Sequence, residues 1–244
     1  MAISISMEDH LQGSFSLIFV IVAILIGIRL ILRYFQYKEK AFLYAGLTWI
    51  GMVSPWFNTA FNYLYVLISG NSMGNQLYVF LAYVWLPFAI LAWILVLSTL
   101  IFKEKKKILL GLGWINIIVY EILFFIFIFT DYTIIATRNG LFNDDLSLAY
   151  SIYVLLVLIF VLITGVKFGR ESLKSTNREI RLKGLFIIIA FVSFTIGAFL
   201  DSGLIQLSPI VRVLVRILLI SSSFEFYFGF FLPNIIKKFF LRQD

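Results

Sequence analysis

The sequence predicts an all-α fold, an integral membrane bundle of seven transmembrane helices, and three observations carry that expectation. Hydrophobic residues make up 61% of the 244 residues and the mean hydropathy is +1.00, whereas soluble domains are apolar over about half of their residues. Apolar stretches long enough to cross a bilayer, about 20 residues each, recur with short polar connections between them. Basic residues gather in alternate connections, the distribution that orients a membrane protein. A chain of this length filled by such stretches is expected to form one membrane domain, residues 1–244, multi-pass in the cell membrane with lipid as its main surroundings.

The first segment, about Ser14–Phe35, follows an acidic start, MAISISMEDH, where a secretory leader would be basic. It is therefore expected to be a retained helix rather than a cleaved signal. The second segment, Ala41–Ser69, contains Pro55, and the third, Gln76–Phe102, contains Pro87. Each proline lacks an N–H and frees the carbonyl four residues earlier, on Gly51 and Tyr83, so both helices are expected to kink at a similar depth. The fourth segment covers Leu109–Thr130, the fifth Leu146–Phe168 and the sixth Leu182–Ile205. Thr176 and Glu179 have capping-box spacing ahead of the sixth. Ser208 followed by Pro209 opens the seventh, Pro209–Leu232, with a cap and a proline where a missing N–H costs nothing. Beyond Pro233, IIKKFFLRQD carries the apolar and basic faces of a short helix on the inner membrane surface.

Orientation follows from charge. Arg29, Arg33, Lys38 and Lys40 close the first segment, Lys103, Lys105, Lys106 and Lys107 follow the third, and Lys167, Arg170, Lys174, Arg178, Arg181 and Lys183 lie around the turn after the fifth. Lys237, Lys238 and Arg242 end the chain, so that of twenty basic residues only Arg138, Arg212 and Arg216 fall elsewhere. The opposite connections hold Glu8, Asp9, Asp131, Asp144 and Asp145. The positive-inside rule then places the N-terminus outside and the C-terminus inside. The net charge of +7 is a topology signal, and no nucleic-acid partner is expected, because each basic run is short and abuts a membrane segment. The longest outer connection contains YTIIATRNGLF, where a β-branched run meets Asn139-Gly140, the signature of a hairpin that would cover the outer mouth of the bundle.

Six charged residues lie inside apolar segments or at their ends: Arg29, Glu121, Asp201, Arg212, Arg216 and Glu225. Charges at membrane depth face the bundle interior and find partners. Depth, at about 1.5 Å per residue, matches Arg29 with Glu225, Glu121 with Arg216, and Asp201 with Arg212. Such pairs either lock the register of the helices or bind a ligand and break on a conformational change. Near the two prolines, Trp56 and Trp85 sit at mid-membrane depth, and Asn58 and Asn62 follow one turn apart on one face. The two asparagines either hydrogen-bond between helices, at about 0.6 kcal/mol each, or join Trp56 and Trp85 as the lining of an outward cavity.

Several chemistries are disfavoured. The chain has one histidine, His10, and no cysteine, so a zinc or Ser-His centre lacks its residues, and no metal, cofactor or catalytic residue is expected. The last segment has no lysine for a retinal Schiff base. With KEKAFLYAGLTWIG entering the second segment, SPW within it, the KEKKK turn, and FYFGFFLPNIIKKFFL at the end, the chain resembles the seven-helix membrane input regions of prokaryotic, notably archaeal, sensor histidine kinases. That resemblance implies a receptor-like sensor. The chain ends at Asp244, where a kinase domain would begin, so the signal would pass to a separate cytoplasmic transducer at the basic inner loops. A small seven-helix transporter and a scaffold subunit without a ligand are the alternatives, and the oligomeric state is left open.

Overall fold

The computed structural model describes residues 5–202 and 207–241. It is an all-α protein built on long apolar helices. α1 runs over Met7–Tyr37, and its first turn is closed by a capping box between Ser6 and Asp9. α2 (Lys40–Met52) and α3 (Phe57–Ser69) are the two halves of the second predicted segment, separated by a 3-10 turn at Ser54–Trp56. α4 (Asn75–Tyr83) and α5 (Leu86–Leu100) are the halves of the third. α6 (Lys106–Thr130), α7 (Leu148–Leu173), α8 (Arg178–Asp201) and α9 (Pro209–Phe230) follow, and α10 (Asn234–Phe240) is the short helix expected at the end of the chain.

Among the described residues, six helical stretches are long and apolar enough to cross a membrane: α1, α4 with α5, α6, α7, α8 and α9. The chain is thus a multi-pass membrane protein. The second predicted segment is not among the six, because the break at Pro55 leaves two 13-residue helices, each short of the ~20 residues a span requires. The end predicted for the sixth segment at Ile205 and the basic Arg242 lie outside the described residues.

Both prolines do more than kink. In a lipid-filled surrounding each unpaired backbone group is costly, so a broken helix persists only where other groups take up the freed carbonyls. The carbonyl of Tyr83, which Pro87 cannot reach, accepts from the hydroxyl of Tyr120 on α6 at 3.0 Å. The carbonyl of Ala82 accepts from Ser54 Oγ at 3.1 Å, so the two breaks are stitched directly to one another. At the first break the Val53 N–H turns back to Gly51 and Trp49.

α5 lies at the centre, packed against α2 and α6, while α1, α9, α8 and α7 follow one another around it. First and last long helices therefore meet. Arg33 stands 3.7 Å over the ring of Phe231 at one end of their seam, and Arg212 lies 3.6 Å from Glu8 at the other. Lipid-immersed helices gain little from excluding water and adhere by close packing through small residues. A Cβ on Gly46 would sit 2.5 Å from the carbonyl oxygen of Gly27 where α1 crosses α2, and Gly169 and Gly184 make the same approach between α7 and α8. Asn177, not Thr176, caps α8: its side chain accepts from Glu179 and Ile180 N–H groups. Glu179 instead pairs with Lys183 at 3.1 Å and with Lys237 of α10 at 2.8 Å, which ties the chain's end to the start of α8.

Gly46→Val should lower stability by about 2 kcal/mol, as overpacking does, because backbone lies in the way. Gly111→Ala on α6, where nothing lies within 4 Å, should raise it by up to about 1 kcal/mol. Thermal unfolding of the two variants in one detergent checks both signs.

Candidate functional site

At the end of the bundle where α1 begins and α8 ends, a cavity of about 410 Å³ lies between α1, α3, α7, α8, α9 and a hairpin. The hairpin is the one expected from Asn139-Gly140. β1 (Ala136–Arg138) pairs antiparallel with β2 (Asp144–Leu146), with Thr137 opposite Asp145. Five residues turn the chain rather than the two of a minimal Asn-Gly turn, and Gly140 takes φ 113, a conformation that suits glycine.

Side chains from several helices hold this hairpin down. Asn62 Nδ2 donates to the carbonyl of Leu141 at 2.9 Å, and Thr59 Oγ1 and Gln12 Nε2 both donate to that of Phe142, at 3.1 and 3.0 Å. Gln12 also reaches the side chain of Asn143. Phe142, 1% exposed, fills a small apolar cluster with Tyr63 and Val66. Arg138, the lone basic residue of this connection, donates to the carbonyls of Met73 and Leu141 and to Ser72 Oγ, with its guanidinium 4.3 Å over the ring of Tyr78. Asp144 accepts from Asn58 Nδ2 at 3.0 Å and from the Tyr83 hydroxyl at 2.5 Å. Burial pushes the Asp144 carboxyl above its ordinary value of 3.8, and the two hydrogen bonds oppose the rise.

Under the hairpin lies a buried ion pair. Arg216 Nη2 meets Asp201 Oδ2 at 2.9 Å, both side chains about 5% exposed. Trp56, turned inward by the 3-10 turn, donates its indole N–H to the same Oδ2 at 2.5 Å and lies 5.9 Å under the Arg216 guanidinium. Arg212, one turn before Arg216, donates to Gln12 Oε1 at 2.8 Å. Two Arg216 nitrogens, Nε and Nη1, are buried without a hydrogen-bond partner among the described residues.

These positions correct the expected pairing. Asp201 is matched with Arg216, not Arg212, because α8 packs along α9 with its last residue against the second turn of α9. Glu121 is not matched with Arg216: it lies on α6, beyond the central helix from α9, and its carboxyl oxygens are buried without a partner among the described residues. Arg29 and Glu225 do not meet either. Arg29 is exposed and stands 5.6 Å over the ring of Tyr227, while Glu225 accepts from Ser221 at 2.7 Å. Of the four expected lining residues, Trp56 alone lines the cavity. Asn58 and Asn62 are fully buried but engaged on the hairpin and the α3–α4 turn, and Trp85 faces outward, 47% exposed.

Gln12, Tyr83, Asp144 and Arg138 were not anticipated from sequence. The only signal was indirect: a hairpin over an apolar bundle must spend its turn carbonyls on polar side chains from below. Beneath the cavity, Phe194 touches Trp56 and Trp49, Trp49 stacks on Phe226 at 4.2 Å, and Phe191 joins Phe226 to Trp93. This aromatic column fills the bundle below the ion pair; Trp49, Trp93, Phe191, Phe194 and Phe226 are all at most 1% exposed. Among the described residues no three of His, Asp or Glu converge as metal ligands would. Comparison with protein-family models, curated proteins and solved structures finds no match.

The raised carboxyl of Asp144 sets a pH dependence. A group whose value is higher folded than unfolded holds the hairpin best below its ordinary value of 3.8, and that contribution is lost as pH rises through the folded value. Amide exchange in the turn should therefore quicken with pH beyond its intrinsic dependence, and Asp144→Asn should remove the excess. An unchanged pH profile in the variant would show that the excess arises elsewhere.

Proposed function

We propose that the chain is a seven-span receptor of the cell membrane, with its N-terminus outside and its C-terminus inside, that binds a small signal beneath the hairpin. The observation that carries this reading is Arg216: a buried guanidinium on the wall of a 410 Å³ cavity with two nitrogens unspent. Buried polar groups are almost always satisfied, and one that is not calls for an explanation. In this reading the broken pair α2–α3 supplies the seventh span, and the alternation of basic connections orients the whole.

Output would pass to a separate cytoplasmic protein at the basic end, as the resemblance to sensor-kinase input regions implies. A receptor needs a cavity open to one side and an element with two arrangements. The aromatic column favours one-sided access, and the breaks at Pro55 and Pro87 are the joints at which α2–α3 and α4–α5 would shift.

The same two breaks support a second reading, since transporters place their sites at discontinuous helices. Access separates the two. Because the chain has no cysteine, Ala198→Cys, on the cavity wall, reports alone. Labelling by a membrane-impermeant maleimide from the N-terminal side only is the expected result. Labelling from both sides would favour transport, and none from either side, with full reaction after unfolding, would remove ligand access altogether.

A further inference from the structure

We propose that the cavity takes a small zwitterion, its carboxylate held by Arg216 and Arg212 and its ammonium group by Asp144, an α-amino acid being the simplest member of the class. The assignment rests on the ligand-binding reading above and gives that reading a chemistry. It starts from Arg216. The guanidinium spends Nη2 on Asp201 and its face on Trp56, and it leaves Nε and Nη1 buried without a protein partner among the described residues. Arg212 lines the same cavity one turn away. A guanidinium is a planar fork of donors whose geometry matches a carboxylate.

The rest of the wall decides what the carboxylate is attached to. Met52, Leu86, Val157, Leu158 and Phe194 give one side an apolar surface. A site built for water alone is polar throughout, whereas an apolar wall with a few convergent polar groups suits a carbon skeleton. The volume, about 410 Å³, lies in the range of small-molecule pockets.

Charge then narrows the class. Asp201, Asp144 and Asp145 line the cavity together with the two arginines, so a second negative charge on the ligand would meet repulsion. Phosphates and dicarboxylates are disfavoured on that ground. Asp144 and Asp145 belong to the hairpin and the arginines to α9, so positive and negative groups are presented from different elements. Asp144 accepts one bond on each oxygen, from Asn58 and Tyr83, and a carboxylate oxygen has a second lone pair for an ammonium group. A molecule neutral overall but with separated charges satisfies both walls. Because one of those walls is the hairpin, binding would also fasten the lid.

The test uses the full chain carrying Ala198→Cys in lipid nanodiscs. Protection from maleimide is measured with the free α-amino acids and small betaines, with the N-acetyl amino acids, which keep only the carboxylate, and with the amino acid amides, which keep only the ammonium group. At least one zwitterion is expected to slow labelling tenfold or more at a concentration where its two derivatives do nothing. Asp144→Asn should cost that zwitterion about tenfold and alter protection by its N-acetyl derivative less than twofold. Arg216→Lys, which keeps the charge beside Asp201 but not the fork, should weaken both. Protection by singly charged or neutral probes as strong as by zwitterions would overturn the assignment while leaving a binding cavity in place, and so would a panel in which no zwitterion protects. Absence of labelling before any probe is added would instead defeat the underlying binding reading, so the two failures are distinguishable.

Discussion

The pair of Arg216 and Asp201 is the interaction on which the rest of the structure depends. Each is a charge buried at one end of an apolar bundle, where a single ion without a partner costs several kcal/mol. Their contact, at 2.9 Å, fixes how far α9 can slide against α8. It also fixes what the neighbouring helices must present. Trp56 satisfies Asp201 only because Pro55 has broken its helix and turned the indole inward. Gln12 links Arg212 to the hairpin, so α1 is placed by the same charges. A buried pair of this kind adds little net stability over an apolar replacement, but breaking one side costs about 3–5 kcal/mol. Its contribution is therefore to specify one arrangement among several that close packing alone would allow.

A second constraint acts on the backbone. Two helices interrupted at the same level would leave carbonyls unpaired in an apolar surrounding, and the protein meets this with side chains placed for the purpose, Ser54 for Ala82 and Tyr120 for Tyr83. The hairpin is treated the same way. Its turn carbonyls are taken by Gln12, Thr59 and Asn62, and its one arginine by the α3–α4 turn. Polar residues that would otherwise be costly in the helices are thus consumed in holding the lid. Two nitrogens of Arg216, like the carboxyl oxygens of Glu121, have no such use among the described residues.

What was legible in the sequence was what depends on one dimension. Apolar runs marked the helices, Ser208-Pro209 marked the start of α9, Asn139-Gly140 marked the hairpin, and Pro55 and Pro87 marked the breaks. Depth also placed Asp201 and Arg212 near one end, where they are, but it set Arg216 level with Glu121, whereas Arg216 lies against Asp201. The partners were not legible, because depth says nothing about which way a side chain points around its helix. Depth favoured Arg212 for Asp201, and only the packing of α8 on α9 brings Arg216, one turn further on, to the carboxylate instead. Asn58 and Asn62 were read as lining or helix-to-helix contacts because a sequence does not say that a loop eighty residues later will fold back over them. Thr176 and Asn177 are both cap residues, and the choice between them is made by one residue of helix phase.

The direct test of the central claim is a double-mutant cycle on the ion pair. Thermal stability is measured for the native chain, for Arg216→Gln, for Asp201→Asn and for the double variant, in the same lipid. If the pair organises the bundle, each single variant loses about 3 kcal/mol or more, because it leaves a buried charge alone, and the double variant recovers most of that loss. Losses that simply add in the double variant, or single variants as stable as the native chain, would show that the two residues do not depend on one another and that the architecture is set elsewhere.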